Sequence, residues 1–165
     1  AVDDLAPEDN AGAGMLGTVE YNSSTLYRYA NIALHEFSKQ LGDKEETIHA
    51  VQLFVEAFVK SMPTGKINTF ANQTLPQAVV VTLRSDRPVN MVSAFEAPVK
   101  SEAGFVRPSI EKLFDEYTKY DKILDKPLFT AYVLLDDQEV NAIGKAEGSL
   151  GELLDDLAEE LERTL

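Results

Sequence analysis

The sequence contains no cysteine and only two histidines among its 165 residues. Without cysteine, the chain can form neither a disulfide framework nor a thiolate metal site, and this composition fits a reducing cytosol. His35 and His49 are not spaced as in HExxH or facial-triad metal sites. The sequence also lacks an apolar run long enough to span a bilayer. We therefore expect a cytoplasmic protein with no membrane partner, no metal site and no cofactor.

Basic residues are scarce as well. The chain has 15 Lys and Arg against 28 Asp and Glu, a formal net charge of −13, which argues against long-range attraction to a nucleic acid. Residues 1–20 carry five acidic and no basic side chains, and residues 101–165 carry sixteen acidic and seven basic ones. Residues 61–100 carry four basic and two acidic side chains. Any nucleic-acid binding must therefore depend on local contacts in this middle part.

No pattern typical of a catalytic site is present. Thr64-Gly65-Lys66 weakly resembles the end of a phosphate-binding loop, but Lys60 stands where the first glycine is required. Ile67 stands where a Ser or Thr would bind magnesium. The two Asp-Asp pairs lack the alternating oxygens of a calcium loop, and no serine lies in a nucleophile elbow. We expect that the protein is not an enzyme.

Local signals predict helices and strands along most of the chain. Asp43-Lys44-Glu45-Glu46 and Ser149-Leu150-Gly151-Glu152 are capping boxes, each followed by apolar residues at helical spacing. Further helices are predicted at residues 91–97, after Asn90, and at residues 110–120. Ala78–Leu83 and residues 129–135 read as strands, and residues 65–76 as a loop. Residues 27–34 are rich in aromatic and β-branched side chains and favour a strand, although a helical period also fits them.

The order strand, helix, strand over residues 27–83 matches the second half of a split βαβ unit. We therefore predict an α+β fold in which a partial ferredoxin-like or RNA-recognition-motif-like palm carries a helical C-terminal extension. A chain of this length is expected to form one core. Within it, residues 1–24 would be an arm, residues 25–88 half of the palm, and residues 89–165 the mainly helical part.

The strings Gly17-Thr18-Val19-Glu20-Tyr21 and Tyr27-Arg28-Tyr29-Ala30-Asn31-Ile32 resemble the CasC family, the backbone subunit of the type I-E CRISPR Cascade complex. Three later pieces follow in the family's order, at residues 65–71, 90–96 and 104–110. Members of that family are about twice as long, so the resemblance implies that this chain is a C-terminal half. It also implies a protein that polymerises along CRISPR guide RNA, presents the guide to target DNA, and contacts neighbouring copies and other Cascade subunits.

The loop at residues 65–74 is the candidate RNA site. Lys66 offers a cation, Asn68 an amide, Thr69 a hydroxyl and Phe70 an aromatic ring, which suit phosphate, ribose and base. Composition alone favours a polar connection whose Phe70 plugs the core. The resemblance instead implies that the loop faces the RNA. Many family members have Tyr where this chain has Phe70, so a phenolic hydrogen bond is not available.

Met15 and Leu16 are two apolar residues on the glycine-rich arm. The resemblance implies that residues 1–24 are the returning half of a thumb-like hairpin, which inserts between guide bases. We thus expect a non-catalytic RNA-binding backbone subunit of a Cascade-type antiviral surveillance complex. The alternative is an acidic protein-interaction or scaffold domain that binds no nucleic acid.

Overall fold

The computed structural model describes residue 20, residues 22–65 and residues 67–165. The described chain forms helices and strands in the following order: α1 (Leu34–Leu41), α2 (Lys44–Lys60), α3 (Ile67–Phe70), β1 (Ala78–Leu83), a 3₁₀ helix (Met91–Phe95), α4 (Val106–Tyr120), β2 (Phe129–Leu134), β3 (Lys145–Ala146) and α5 (Leu150–Thr164). None of the helices in this part of the chain is long and apolar enough to cross a membrane.

The three strands form one sheet in the order β1-β2-β3, so β2 is central. β1 is antiparallel to β2, with Ala78 opposite Leu134 and Leu83 opposite Phe129. β3 is parallel to β2, with Lys145 opposite Ala131. The chain enters β3 through Gly144, where a Cβ would lie 2.2 Å from the Thr130 carbonyl oxygen. Only glycine allows the two backbones to approach this closely.

Helices cover both faces of the sheet. On one face, α2 and α5 pack against Leu83 through Ile48, Val51, Leu157 and Leu161. Neighbouring strand residues point to opposite faces, and on the other face Tyr132 packs against Ile110 and Phe114 of α4. The rings of Phe114 and Tyr132 meet edge to face with centroids 4.9 Å apart. The sheet therefore lies between two apolar clusters.

In both predicted capping boxes, the N-cap side chain accepts the expected hydrogen bond at the first turn of its helix. Asp43 accepts a hydrogen bond from the Glu46 amide at 2.8 Å before α2. Ser149 accepts from the Glu152 amide at 3.2 Å before α5. The Glu152 carboxylate in turn accepts from the Gly148 amide at 2.9 Å. These bonds satisfy amides that have no partner inside the helix, which explains where each helix begins.

The predicted strand at residues 27–34 is wrong. Residues 22–33 have no regular secondary structure, and Leu34 begins α1. A strand requires a hydrogen-bonded neighbour, and this segment has none among the described residues. The helical spacing of apolar residues forms a helix only from Leu34 onward. This helix, α1, is capped at its C-terminus by Gly42, whose φ of 70° suits a glycine.

Other predictions were confirmed with changed boundaries. The helix after Asn90 is a short 3₁₀ helix, capped by the Asn90 side chain, which accepts from the Val92 amide at 3.1 Å. α4 begins at Val106, four positions before the predicted start, so Pro108 lies in its first turn, where a proline is tolerated. The loop after α2 contains the single helical turn α3. β1 is half-buried except at Leu83, rather than fully buried.

A mixed α+β architecture is thus confirmed, with a small three-stranded sheet. The ferredoxin-like order is not seen in the described chain, because residues 27–34, predicted as the first strand of its second half, are irregular. The division into arm, palm and helical part stays a prediction, and residues 1–19 of the arm lie outside the described residues.

Candidate nucleic-acid interface

The candidate RNA loop is only partly described. Met15, Leu16 and Lys66 lie outside the described residues. Asn68 and Thr69 occupy the middle of α3 and Phe70 is its last residue. The structure therefore brings three of the six predicted site residues together on one helical turn.

The α3 turn exposes its polar side chains and partly buries its aromatic one. Asn68 and Thr69 are exposed, whereas Phe70 is half-buried. The turn begins with a hydrogen bond from the Ile67 amide to the Thr64 carbonyl at 3.2 Å and ends with one from the Ala71 amide to the Ile67 carbonyl at 2.8 Å. The amide of Asn68 and the hydroxyl of Thr69 are consequently accessible to a polar ligand.

Ala71 gives the loop an unusual backbone. Its φ of 49° lies in the left-handed region, and it is the one non-glycine residue with positive φ among the described residues. This conformation costs an alanine about 1–2 kcal/mol. Just beyond, the Thr74 hydroxyl donates to the Asn72 side chain at 3.2 Å. The helical turn α3 thus ends directly after Phe70.

Sequence reasoning missed Arg28, which lies beside the start of this loop. Its guanidinium carbon lies 4.5 Å from the centroid of the Phe58 ring. Its Nη1 donates to the Ser61 carbonyl at 2.9 Å. Ser61 caps the C-terminus of α2 and begins the connection to α3. The available signal was that Arg28 is the one charged side chain between residues 21 and 35.

Tyr27 attaches the same segment to the 3₁₀ helix. Its ring lies 5.6 Å from that of Phe95, and its hydroxyl accepts a hydrogen bond from the Met91 amide at 3.2 Å. Burial raises the pKa of Tyr27, so the hydroxyl keeps its proton. The neighbouring residues Tyr27 and Arg28 therefore contact the 3₁₀ helix and the end of α2, respectively.

A polar network fixes the 3₁₀ helix on α4. The Ser93 hydroxyl donates to Glu116 at 2.7 Å and lies 2.9 Å from the Tyr120 hydroxyl. Lys119 donates to the second oxygen of Glu116 at 2.7 Å. Hydrogen bonds from Lys119 and Ser93 lower the pKa of Glu116, which stays ionised. The surface that receives Tyr27 is thereby held in place.

Carboxylates neutralise about half of the described cations. The cations that form ion pairs with Asp or Glu are Lys39, Lys44, Lys60, Arg84, Lys119, Lys145 and Arg163. Arg84 is the most enclosed: its side chain is 8% exposed and contacts Asp86 at 2.7 Å. Arg28 forms no ion pair within the described part of the chain. Among the described residues, its contacts near the candidate loop are with a ring and a carbonyl oxygen.

Two open depressions lie elsewhere on the surface. One, of about 290 Å³, is bordered by Tyr117, Asp121, Lys126 and Gly144. The other, of about 420 Å³, is bordered by Glu111, Asp115, Glu139 and Asn141. In the second, the Asn141 amide donates to Asp115 at 2.6 Å, so that carboxylate already has a partner. No group of three or more acidic or histidine side chains able to bind a metal occurs in the described ranges.

Comparisons with known proteins point to one class. A family model described as CT1975-like protein matches residues 1–160. A chain of a CRISPR RNA-guided surveillance complex has a TM-score of 0.84 and 28% identity, over 96% of this chain and 62% of that one. A chain of a CRISPR RNA-guided surveillance complex described as pre-nicking has a TM-score of 0.85 and 28% identity, over 98% of this chain and 48% of that one. This chain therefore spans between about half and three-fifths of the length of these solved chains. A search among curated proteins finds no match.

Proposed function

Because the chain belongs to the CT1975-like protein family, we propose that it is a non-catalytic, RNA-binding backbone subunit of a Cascade-type surveillance complex. The resemblance to the CasC family that the sequence suggested is confirmed by the family match and the two structural matches. RNA binding, the backbone role and the absence of catalysis are our proposals.

One observation carries the proposal. The chain aligns over 96–98% of its length, at 28% identity, with chains of complexes that are RNA-guided. The likeness is therefore not confined to one part of this chain. The polar composition of that turn supports the same conclusion, because single-stranded RNA is bound through its phosphates, ribose hydroxyls and base faces.

Each loop residue has a distinct proposed role. Lys66 would bind a backbone phosphate, and the exposed Asn68 and Thr69 would hydrogen-bond to ribose or phosphate oxygens. Phe70 would place its ring against a base. Met15 and Leu16 would insert between neighbouring guide bases. None of these contacts reads a sequence, so the protein would hold any guide in the same way.

In the assembly, neighbouring copies would lie along one guide RNA in the cytoplasm and expose its bases to target DNA. Sequence recognition would then be left to base pairing, while the protein contacts backbone and shape. The other Cascade subunits would be its further protein partners. A weak long-range field from a net charge of −13 is compatible with this role, because the RNA would be held by close contacts.

The decisive experiment measures RNA affinity of the full-length protein as a function of salt. We expect binding of an unstructured RNA oligonucleotide whose log K falls linearly with log salt, as counterion release requires. The second candidate, an acidic protein-interaction domain, is favoured by the excess of 28 acidic over 15 basic residues. It predicts no RNA binding at any salt concentration, together with capture of a protein partner.

The absence of catalysis is tested separately. Incubation with RNA or DNA, with and without divalent metal, should leave the nucleic acid intact. Reproducible cleavage that disappears when a single carboxylate is replaced would contradict the non-catalytic role, without affecting the proposal that the protein binds RNA.

A further inference from the structure

Arg28 is attached to the end of α2 by two contacts, neither of which neutralises its charge. One face of the guanidinium lies over the Phe58 ring at 4.5 Å, and one nitrogen donates to the Ser61 carbonyl at 2.9 Å. A guanidinium has five N–H donors. The residue as a whole is exposed. Several donors therefore remain available to a ligand.

Arg28 is one of seven cations in the described part of the chain that form no ion pair. Lys60, one position before Ser61, forms an ion pair with Glu56. Arg163 on α5 contacts both Glu159 and Glu160. Arg28 forms no ion pair within the described residues, although the chain has 28 acidic residues. Within the described residues, its charge has no carboxylate partner.

A purely structural role would use only part of this side chain. The bond to Ser61 places a positive charge at the C-terminus of α2, where the helix dipole favours it, and the ring contact adds a cation–π interaction. Lysine could satisfy the dipole equally well. The planar guanidinium adds what lysine lacks, a rigid fork that matches two phosphate oxygens.

We propose that Arg28 binds a backbone phosphate of the same RNA strand that contacts the α3 turn. This inference rests on the proposed function and extends the RNA-binding surface beyond the 65–74 loop. Ser61, to which Arg28 is bonded, lies six residues before Ile67, so the two contacts are at most about 20 Å apart along an extended chain. Phe58 fixes the plane of the guanidinium before RNA arrives, which lowers the entropy cost of the contact.

The test compares Arg28→Gln with Lys60→Ala in the full-length protein, using an unstructured, fluorescently labelled RNA oligonucleotide. Glutamine keeps a donor for the Ser61 carbonyl and removes the charge. We expect an affinity loss of about tenfold to a hundredfold and a log K against log salt slope smaller in magnitude by about 0.7, the single-strand value for one phosphate.

Lys60→Ala also removes one positive charge, from an exposed residue already paired with Glu56, and should leave the slope unchanged. Arg28→Lys should retain the slope with an intermediate affinity.

Two results would overturn the inference. One is a wild-type protein that binds RNA with a clear salt slope while Arg28→Gln has the same slope as Lys60→Ala; this refutes the Arg28 contact and leaves the proposed function standing. If instead the wild-type protein binds no RNA, the proposed function itself fails, and the inference with it.

A chemical measurement on the wild-type protein covers the case in which Arg28→Gln does not fold. Phenylglyoxal modifies exposed guanidinium groups, and mass spectrometry locates the modified residues. RNA should protect Arg28 and should not protect Arg163, whose side chain is 66% exposed. Equal modification of Arg28 with and without RNA would overturn the inference.

Discussion

Phe70 is the residue at which a packing role and a binding role meet. Its side chain is half-buried, whereas the preceding Asn68 and Thr69 are exposed. An aromatic ring in this position can stabilise the turn, stack on a base, or do both. Removing the ring lowers RNA affinity if the ring stacks on a base, and lowers folding stability if the ring packs in the core. A substitution can therefore separate the two roles.

We predict that Phe70→Ala in the full-length protein lowers RNA affinity by about 1–3 kcal/mol without changing the salt slope, as expected for a stacked base. If Phe70 serves the core instead, its removal costs about 3–5 kcal/mol of folding free energy. Any loss of binding would then follow the unfolded fraction. Urea denaturation and RNA titration of the same variant distinguish these cases.

Lys66→Ala tests whether the charge of Lys66 contributes to RNA binding, as Phe70→Ala tests the ring. A lysine that contacts one phosphate should weaken binding evenly across RNA sequences and reduce the magnitude of the salt slope by about 0.7. Lys39→Ala is a suitable control, because Lys39 is exposed on α1 and paired with Glu36 at 3.1 Å. An unchanged slope in a normally folded Lys66→Ala protein would remove Lys66 from the RNA site.

From sequence, single site residues could be proposed only where the expected role is local. Lys66, Asn68 and Thr69 were selected because a polar loop with a cation suits RNA, and Asn68 and Thr69 are indeed exposed together. Arg28 was missed because its relevance depends on Phe58 and Ser61, which lie 30 or more positions away in sequence. No local pattern reports such a contact.

At the level of elements, the β2–β3 pairing depends on a single glycine. We predict that Gly144→Ala lowers the free energy of unfolding by about 1–3 kcal/mol. The added Cβ would lie 2.2 Å from the Thr130 carbonyl oxygen and 2.8 Å from the Thr130 Cβ. β2 is central and paired on both sides, so it cannot move away. Urea denaturation measures the effect.

Gly151→Ala is the control for this substitution. At Gly151, in the first turn of α5, the nearest atom to an added Cβ is the Ser149 hydroxyl at 3.8 Å, an ordinary contact. Alanine is the better helix former, so this variant should gain up to about 0.5–1 kcal/mol. Equal stability of the two variants would show that the close approach at Gly144 has no energetic consequence.

The outer edge of β1 gives the second prediction at this scale. In the described part of the chain β1 is an edge strand, and its sequence Ala-Val-Val-Val-Thr-Leu contains no charge and no proline. Such an edge tends to recruit another strand. We predict that the chain self-associates in sedimentation velocity experiments and that Thr82→Lys shifts it toward monomer. A wild-type chain that stays monomeric at all concentrations would contradict this.

Elements marked by capping residues or by a continuous apolar run, including β1 and β2, were predicted well, whereas residues 27–34 and β3 were not. The two capping boxes fix the first turns of α2 and α5 through bonds that span three residues. The composition of residues 27–34 suits a strand, but a strand also needs a neighbour, and composition cannot supply one. β3, only two residues long, forms because Gly144 brings the chain against β2.

At the scale of the whole molecule, ion pairs that lower the pKa of a carboxyl make the stability of this acidic chain depend on pH. Arg84, with a hydrogen bond from its Nε at 2.8 Å, holds the pKa of Asp86 well below its usual range. A lowered carboxyl pKa means that the pair contributes stability above the unfolded-state pKa of about 3.9. The contribution is lost as pH falls from there toward the lower folded-state pKa.

We therefore predict that Asp86→Asn lowers the melting temperature at neutral pH and that its difference from wild type shrinks below about pH 4. Asp137→Asn is the control, because Asp137 contacts Arg107 only through its backbone carbonyl. Both substitutions remove one negative charge from a chain of net charge −13, so the general relief of repulsion cancels in the comparison. A pH-independent Asp86→Asn difference would contradict the prediction.

The packing of α2 against α5 also determines the order in which the chain can fold. α2 has 17 residues, long enough to form early by local bonds. The Gln52 side chain, however, donates to the carbonyl of Leu154, 102 positions later, and Lys44 reaches Glu162 after 118. Contacts this distant in sequence form slowly. During synthesis, Ile48 and Val51 therefore lack their α5 partners until Leu157 and Leu161 arrive, and over that interval their partly exposed apolar surface makes the nascent chain prone to aggregate.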